Sequence, residues 1–172
     1  MKVTIFGLAG TGTSSVGKAL ANELNFDFKS SGDFFREKAK EHGLSVYHYG
    51  ELGKTDSKYD KEVDLEVENF GANNDNFIVE SRLAWHFIPD SIKIKFYCDL
   101  DTRIERISQR DGMSFEDSKD KSLSREKSNA DRYEKYYGLK DYTNDSNFDL
   151  IIDTTNTSIE DIVKKIKVFL GK

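Results

Sequence analysis

Nine residues near the amino terminus, Gly7-Leu8-Ala9-Gly10-Thr11-Gly12-Thr13-Ser14-Ser15, have the make-up of a loop that binds phosphate. Glycines let backbone N–H groups curl around an anion, and a helix starting just beyond them adds the partial positive charge of its amino end. The spacing nearly meets the pattern G-x-x-x-x-G-K-S/T from Gly7 to Ser14. Both glycines and the closing hydroxyl are present, but Thr13 stands where the lysine belongs. A dinucleotide loop begins similarly, yet Gly10-x-Gly12-x-x-Ser15 lacks its third glycine. Lys18 does not restore the missing cation. A helix turns about 100° per residue, which carries Lys18 away from the direction of Thr13, and the shifted register ends at Ala19 without a hydroxyl.

Such a loop needs a strand before it and a helix behind it. Val3-Thr4-Ile5-Phe6 supplies the strand, and Val16, Leu20 and Leu24 lie on one face of a helix. Further strands are expected at 26–30, 77–80, 92–98 and 148–153, with helices between them. Helix 34–41 is stopped by Gly43, and Val63 and Val67 mark one helical face in the acidic stretch 46–70. Gly71 to Asn76 reads as a turn. Asp101 or Thr102 is expected to cap the helix carrying Ile104 and Ile107. Residues 111–120 are expected to be open or mobile, ahead of a helix over 122–137. Thr157 with Glu160 is expected to cap a last helix faced by Ile159, Ile162, Val163, Ile166 and Phe169. Strands alternating with helices predict an α/β protein with a parallel sheet and ligands at the carboxyl ends of its strands. The glycine loop, Ser31, Glu80 and Asp99 all follow predicted strands, which implies one composite site.

With 172 residues the chain suits a single domain. A single cysteine, Cys98, excludes an internal disulfide framework, fits a reducing cytoplasm and is expected to be buried. No apolar run is long enough to span a membrane. The net charge of −5 argues against nucleic-acid binding through bulk positive charge. Five of the seven arginines fall between Arg103 and Arg132. Arginine is the better planar fork for phosphate oxygens, so this segment is expected to face an anion. His42, His48 and His86 have no metal-ligand spacing and read as surface or packing residues.

Four stretches together resemble the nucleoside monophosphate kinases, and the archaeal-type cytidylate kinases above all. They are Gly7 to Ser15, Ser31-Gly32-Asp33-Phe34-Phe35-Arg36, Glu80-Ser81-Arg82-Leu83-Ala84, and Ser124-Arg125-Glu126 through Arg132-Tyr133. The resemblance covers nearly the whole chain, and the order of the motifs is more specific than any one of them. It implies a P-loop kinase fold in one domain, 1–172, with an acceptor-binding insertion at 43–73 and a lid at 111–132. It implies ATP and Mg2+ as cofactors and small nucleotides as partners, in a cytoplasmic monomer without nucleic-acid or membrane contacts. Gly7, Gly10, Gly12, Thr13, Ser14 and Ser15 would hold the ATP phosphates, with the Ser14 hydroxyl and Glu80 on the magnesium side. Ser31, Arg36, Asp60, Asp64 and Arg82 would hold the acceptor, Arg36 and Arg82 on its phosphate and an aspartate on its base. Arg125 and Arg132 would come from the lid to the migrating phosphoryl group.

Phosphoryl transfer needs positioning and charge stabilisation rather than a protein nucleophile, so the absence of a serine, cysteine or histidine triad is no obstacle. Competing explanations remain for single residues. Arg36 has Asp33 and Glu41 as ion-pair partners, Glu80 has Arg82, and Asp60 and Asp64 fit a solvated helix face. Trp85 is expected in the core, and Tyr133, Tyr136 and Tyr137 are expected to pack the lid. The expected reaction is phosphorylation of CMP or dCMP. The alternatives are a kinase for AMP or UMP and, because Thr13 replaces lysine, a nucleotide-binding regulator without turnover.

Overall fold

A computed structural model describes residues 1–172, the side chain of Lys54 excepted. Five strands form one sheet: β1 (Lys2–Gly7), β2 (Asp27–Ser30), β3 (Phe77–Glu80), β4 (Ile92–Tyr97) and β5 (Leu150–Asp153). Their order is β2-β3-β1-β4-β5, and every neighbouring pair is parallel. β1 is the central strand, buried from Val3 onward, as expected of a parallel strand covered on both faces.

The helices are α1 (Thr13–Leu24), α2 (Ser31–Glu41), α3 (Val46–Thr55), α4 (Ser57–Asn73), the single turn α5 (Ala84–Phe87), α6 (Leu100–Asp111), α7 (Phe115–Tyr137) and α8 (Ile159–Phe169). Alternation along β1 sorts the core into two faces. Val3 and Ile5 pack with Val16 and Leu20 of α1 and with Ile162 and Ile166 of α8. On the other face, Phe6 joins Leu83, Trp85, Tyr133 and Tyr142, while Phe77 and Val79 of β3 join Phe34, Val67 and Ile88. Trp85 is thus a core residue, and Cys98 is a buried free thiol. No helix among the described residues is long and apolar enough to cross a membrane.

Element ends differ from the sequence expectations for identifiable reasons. α2 begins at Ser31, three residues early, because Ser30 and Asp33 form a reciprocal capping box. Asp99, not Asp101 or Thr102, caps α6: its carboxylate accepts from the Thr102 N–H at 2.8 Å. Ser158, not Thr157, caps α8 by accepting from the Asp161 N–H at 3.1 Å. The largest departure is α7, which runs unbroken from Phe115 through the segment expected to be open at 111–120. Its buried face carries Ser118, Ser122, Asn129 and Tyr133, so small polar residues stand where a helical stripe is normally apolar. α4 likewise continues through the expected turn at Gly71.

Gly71 is buried, and a Cβ there would lie 2.6 Å from Ile88 Cγ1. The missing side chain lets α4 approach the end of α5 closely. Gly71→Ala should therefore lower stability by about 1–3 kcal/mol through overpacking, although alanine is the better helix former by about 1 kcal/mol. Urea unfolding tests the balance: an unchanged or raised midpoint would mean that Ile88 yields without strain.

Candidate active site

The glycine loop spans the gap between the end of β1 and the start of α1. Gly10 and Gly12 both adopt φ of 86°, a conformation that side chains disfavour. A Cβ at Gly10 would lie 2.5 Å from the Arg103 carbonyl oxygen, whereas a Cβ at Gly12 would meet nothing within 4 Å. The loop therefore leans on α6 at Gly10 and opens outward at Gly12. Gly12 is the cap residue of α1, and no side chain caps that end. The amino ends of α2, α3, α4, α6, α7 and α8 are each capped by a serine or aspartate. The first N–H groups of α1 and their share of the helix dipole thus face the open side of the loop, a fitting seat for phosphate.

Thr13 turns away from that opening. Its hydroxyl donates to Glu80 Oε1 at 3.2 Å, and the Ser14 hydroxyl donates to Glu80 Oε2 at 3.0 Å. Glu80 thus pairs with the loop rather than with Arg82. β1 and β3 make this possible, because Ile5 and Glu80 are register partners and put the carboxylate level with the loop. A serine hydroxyl and a carboxylate side by side are hard oxygen donors. They suit Mg2+, which keeps most of its water and takes few protein ligands. No group of three or more histidine, cysteine, aspartate or glutamate side chains among the described residues is arranged to hold a metal by itself.

Two arginines that the sequence reading left unassigned grip the loop from behind. Arg103 Nη1 donates to the Ala9 carbonyl at 3.2 Å and is ion-paired with Glu126 of α7 at 2.7 Å. Arg106 donates to the carbonyls of Gly10, Thr154 and Thr155 at 3.2, 2.9 and 3.1 Å. The spacing of three, alternating with buried Ile104 and Ile107, was the available signal: it puts both arginines near the inward face of α6. Lys18 is exposed, with its amine 5.9 Å from the centre of the Phe28 ring, and does not reach the loop.

Beside the loop lies a cleft of about 1080 Å³. Ser31, Arg36, Asp60, Asp64, Arg82, Arg125 and Arg132 all line it, although they come from four separate stretches of chain. The loop residues and Glu80 lie outside that lining, but Ser81 and Arg82 carry β3 directly into it. Arg82 Nε is buried without a hydrogen-bond partner. The like charge of Arg82, and then burial, hold the Arg125 guanidinium below the usual arginine range, though an arginine remains charged. Arg132 Nη1 donates to Asp60 Oδ2 at 2.7 Å. Arg36 is largely exposed and paired with Asp33 at 2.6 Å.

Asp64 accepts from the Tyr137 hydroxyl. Burial pushes its carboxyl up to about 6, against that hydrogen bond and the nearby Arg132 charge, while Asp60 pushes it further up. Asp60 and Asp64 are therefore tied to α7 rather than forming a solvated face. Tyr133 and Tyr137 pack the carboxyl-terminal half of α7 against Trp85, Phe87 and Tyr142. The histidines have other partners: His42 meets Glu62, His48 meets Ser45, and His86 packs on Trp85 and Phe87.

An uncapped helix end stands beside an arginine-lined cleft, and known proteins bear on what such a pair serves. Solved structures align over the whole chain: an uncharacterized protein from Eubacterium ventriosum (18% identity, TM-score 0.73) and shikimate kinase from Bacteroides thetaiotaomicron (13%, 0.69), each covered to 99% of its own length. At such identities they establish the fold alone, that of P-loop kinases. Closer relatives carry the name cytidylate kinase. That of Methanococcoides burtonii is 37% identical over 168 residues, 96% of this chain and 95% of the relative. That of Methanosarcina mazei is 38% identical over 158 residues, 90% and 87%. Residues 2–156 match the model of the cytidylate kinase-like family. The chain belongs to that family.

Proposed function

We propose that this protein is a nucleoside monophosphate kinase that transfers the γ-phosphoryl group of ATP to CMP or dCMP. The observation that supports it best is the pairing of an uncapped, glycine-lined helix end with a cleft in which Arg82 has a buried nitrogen without a partner. An acceptor phosphate oxygen attacks the γ-phosphorus, the bridging P–O bond to the β-phosphate breaks, and the products are ADP and a nucleoside diphosphate. The relatives named cytidylate kinase favour CMP over AMP or UMP, and a turnover enzyme over a silent regulator.

In this reading Gly7, Gly10, Gly12, Thr13, Ser14 and Ser15 cradle the ATP phosphates. Ser14 and Glu80 hold Mg2+, which when bound would draw charge from the phosphate oxygens. Ser31, Arg36 and Arg82 seat the acceptor phosphate, and Asp64 accepts from the exocyclic amine of cytosine. Arg125 and Arg132 supply the positive charge that Thr13 cannot. Arg103 and Arg106 hold the loop from behind through its carbonyls, whereas Arg132 lines the cleft and would exchange its Asp60 partner for the phosphoryl group. The insertion 43–73 and the lid 111–132 close over the nucleotides, and Asp60–Arg132 already joins them. The protein acts as a monomer in this reading. The free thiol of Cys98 suits the reducing cytoplasm.

A coupled assay of ADP release with CMP, dCMP, UMP, AMP and GMP tests the reading. The cytidine nucleotides should have the highest kcat/KM. Equal or better use of AMP would remove the cytidylate assignment, and ATP binding without turnover of any acceptor would favour the regulator.

Arg125→Ala and Arg132→Ala should each lower kcat by about 10²–10³-fold, the usual loss on removing a donor to developing charge. ATP affinity should change much less. Arg82→Ala should act mainly through a higher acceptor KM. Near-normal kcat in both lid variants would eliminate the substitute-cation role.

The ratio of kcat/KM for CMP to that for UMP isolates Asp64, because titration of the substrate phosphate is common to both. The ionised carboxylate is the stronger acceptor for the cytosine amine, so the ratio should rise with pH through about 6, the folded-state value of Asp64. In Asp64→Asn the ratio should be flat across that range. A wild-type ratio independent of pH would exclude Asp64 as the base reader.

A further inference from the structure

Among the described ion pairs, Arg103–Glu126 is the most enclosed, with side-chain exposures of 6% and 19% at 2.7 Å. Neither residue lines the acceptor cleft. The same nitrogen, Arg103 Nη1, also donates to the Ala9 carbonyl of the glycine loop. The backbone of Arg103 lies where a side chain at Gly10 would be. One residue of α6 therefore supports the loop, and Glu126 fastens α7 to that same residue. Arg125 is the next residue to Glu126 along α7.

That fastening matters because Thr13 removes the lysine that a phosphate loop ordinarily carries on its own helix. Such a lysine is in register with the loop automatically. A cation on α7 is not, and an error of about 1 Å in the placement of reacting groups costs on the order of 10²-fold in rate. The upstream part of α7 has no fully buried apolar side chain to set its position, since its buried residues there are Ser118 and Ser122.

We propose that Glu126 is a positioning residue: through Arg103 it holds Arg125 of the lid helix in register with Ala9 and Gly10 of the phosphate loop. The inference rests on the kinase reading for its consequence in turnover, but the mechanical link does not depend on it.

The test compares wild type, Glu126→Ala, Glu126→Gln, Arg103→Ala and the double alanine variant, by steady-state kinetics with ATP and CMP and by amide hydrogen exchange. Glu126→Ala should lower kcat by about 10- to 100-fold, with both KM values within about threefold of wild type. Glu126→Gln keeps an oxygen for Arg103 and should recover most of the rate. The double variant should be no slower than Arg103→Ala, because both changes cut one link. Exchange should quicken at residues 8–12 and 120–128 in Glu126→Ala and stay unchanged in β1 and β4. Unchanged kcat in Glu126→Ala, losses that multiply in the double variant, or faster exchange spread through the sheet would each overturn the proposal. If wild type turns over no monophosphate, the kinase reading falls, and the exchange pattern alone decides whether Glu126 ties the helix to the loop.

Discussion

Four arginines line one cleft, and while Arg36 is exposed and paired with Asp33, the other three guanidinium groups repel one another and much of the molecule is arranged to keep them there. Arg82 follows the buried strand β3, while Arg125 and Arg132 stand two turns apart on α7. Arg82, and then burial, hold the Arg125 guanidinium below the usual arginine range, which is the direction such repulsion takes. Nothing in the cleft cancels all three charges. Asp60 engages Arg132, and Asp64 is itself driven toward neutrality by burial. Surplus positive charge of this kind is relieved by a bound anion, which supports the proposal that the cleft seats a phosphate.

The glycine loop solves a complementary problem. It presents backbone N–H groups, whose partial charges are fixed by the start of α1, but lacks the mobile full charge of a lysine. Its shape is maintained by hydrogen bonds to its carbonyl side: Arg103 at Ala9, Arg106 at Gly10 and Thr154 at Thr11. With the carbonyls engaged behind, the N–H groups are left to face outward. Thr13 and Ser14 in turn orient Glu80, so the position vacated by lysine serves the carboxylate instead.

Sequence periodicity revealed those parts of the fold in which apolar side chains do the packing. The apolar run Val3 to Phe6 and the stripe from Ile159 to Phe169 mark β1 and α8, and the parallel sheet follows from strands alternating with helices. The helix expected over 122–137 is the greater part of α7, but its first two turns escaped because the buried position there is Ser118, which a hydrophobic pattern does not register. Helix starts moved by one to three residues where a neighbouring serine or aspartate had the better geometry for the N–H groups, as Ser30, Asp99 and Ser158 do. Within the site, residues near strand ends were legible because parallel sheets gather such ends at one edge. Arg103, Arg106 and Glu126 were not, since their partners lie 23 to 96 residues away and only the tertiary structure brings them together.

The polarity of α7 also bears on how the cleft can open. An apolar interface resists separation in proportion to the area it would expose, at about 25 cal/mol per Å². The buried apolar interface of α7 lies near its carboxyl end, where Tyr133 and Tyr137 sit among Trp85, Phe87 and Tyr142. Towards its amino end the buried residues are Ser118 and Ser122, and Ser118 Oγ has no hydrogen-bond partner. The helix is thus anchored at one end by area and held along its length by Arg103–Glu126 and Asp60–Arg132. Directional contacts of this kind can be exchanged for contacts to a phosphate without uncovering apolar surface. An aromatic anchor with a polar shaft fits the lid role proposed for this helix, because its base can stay in the core while polar contacts along the shaft are exchanged.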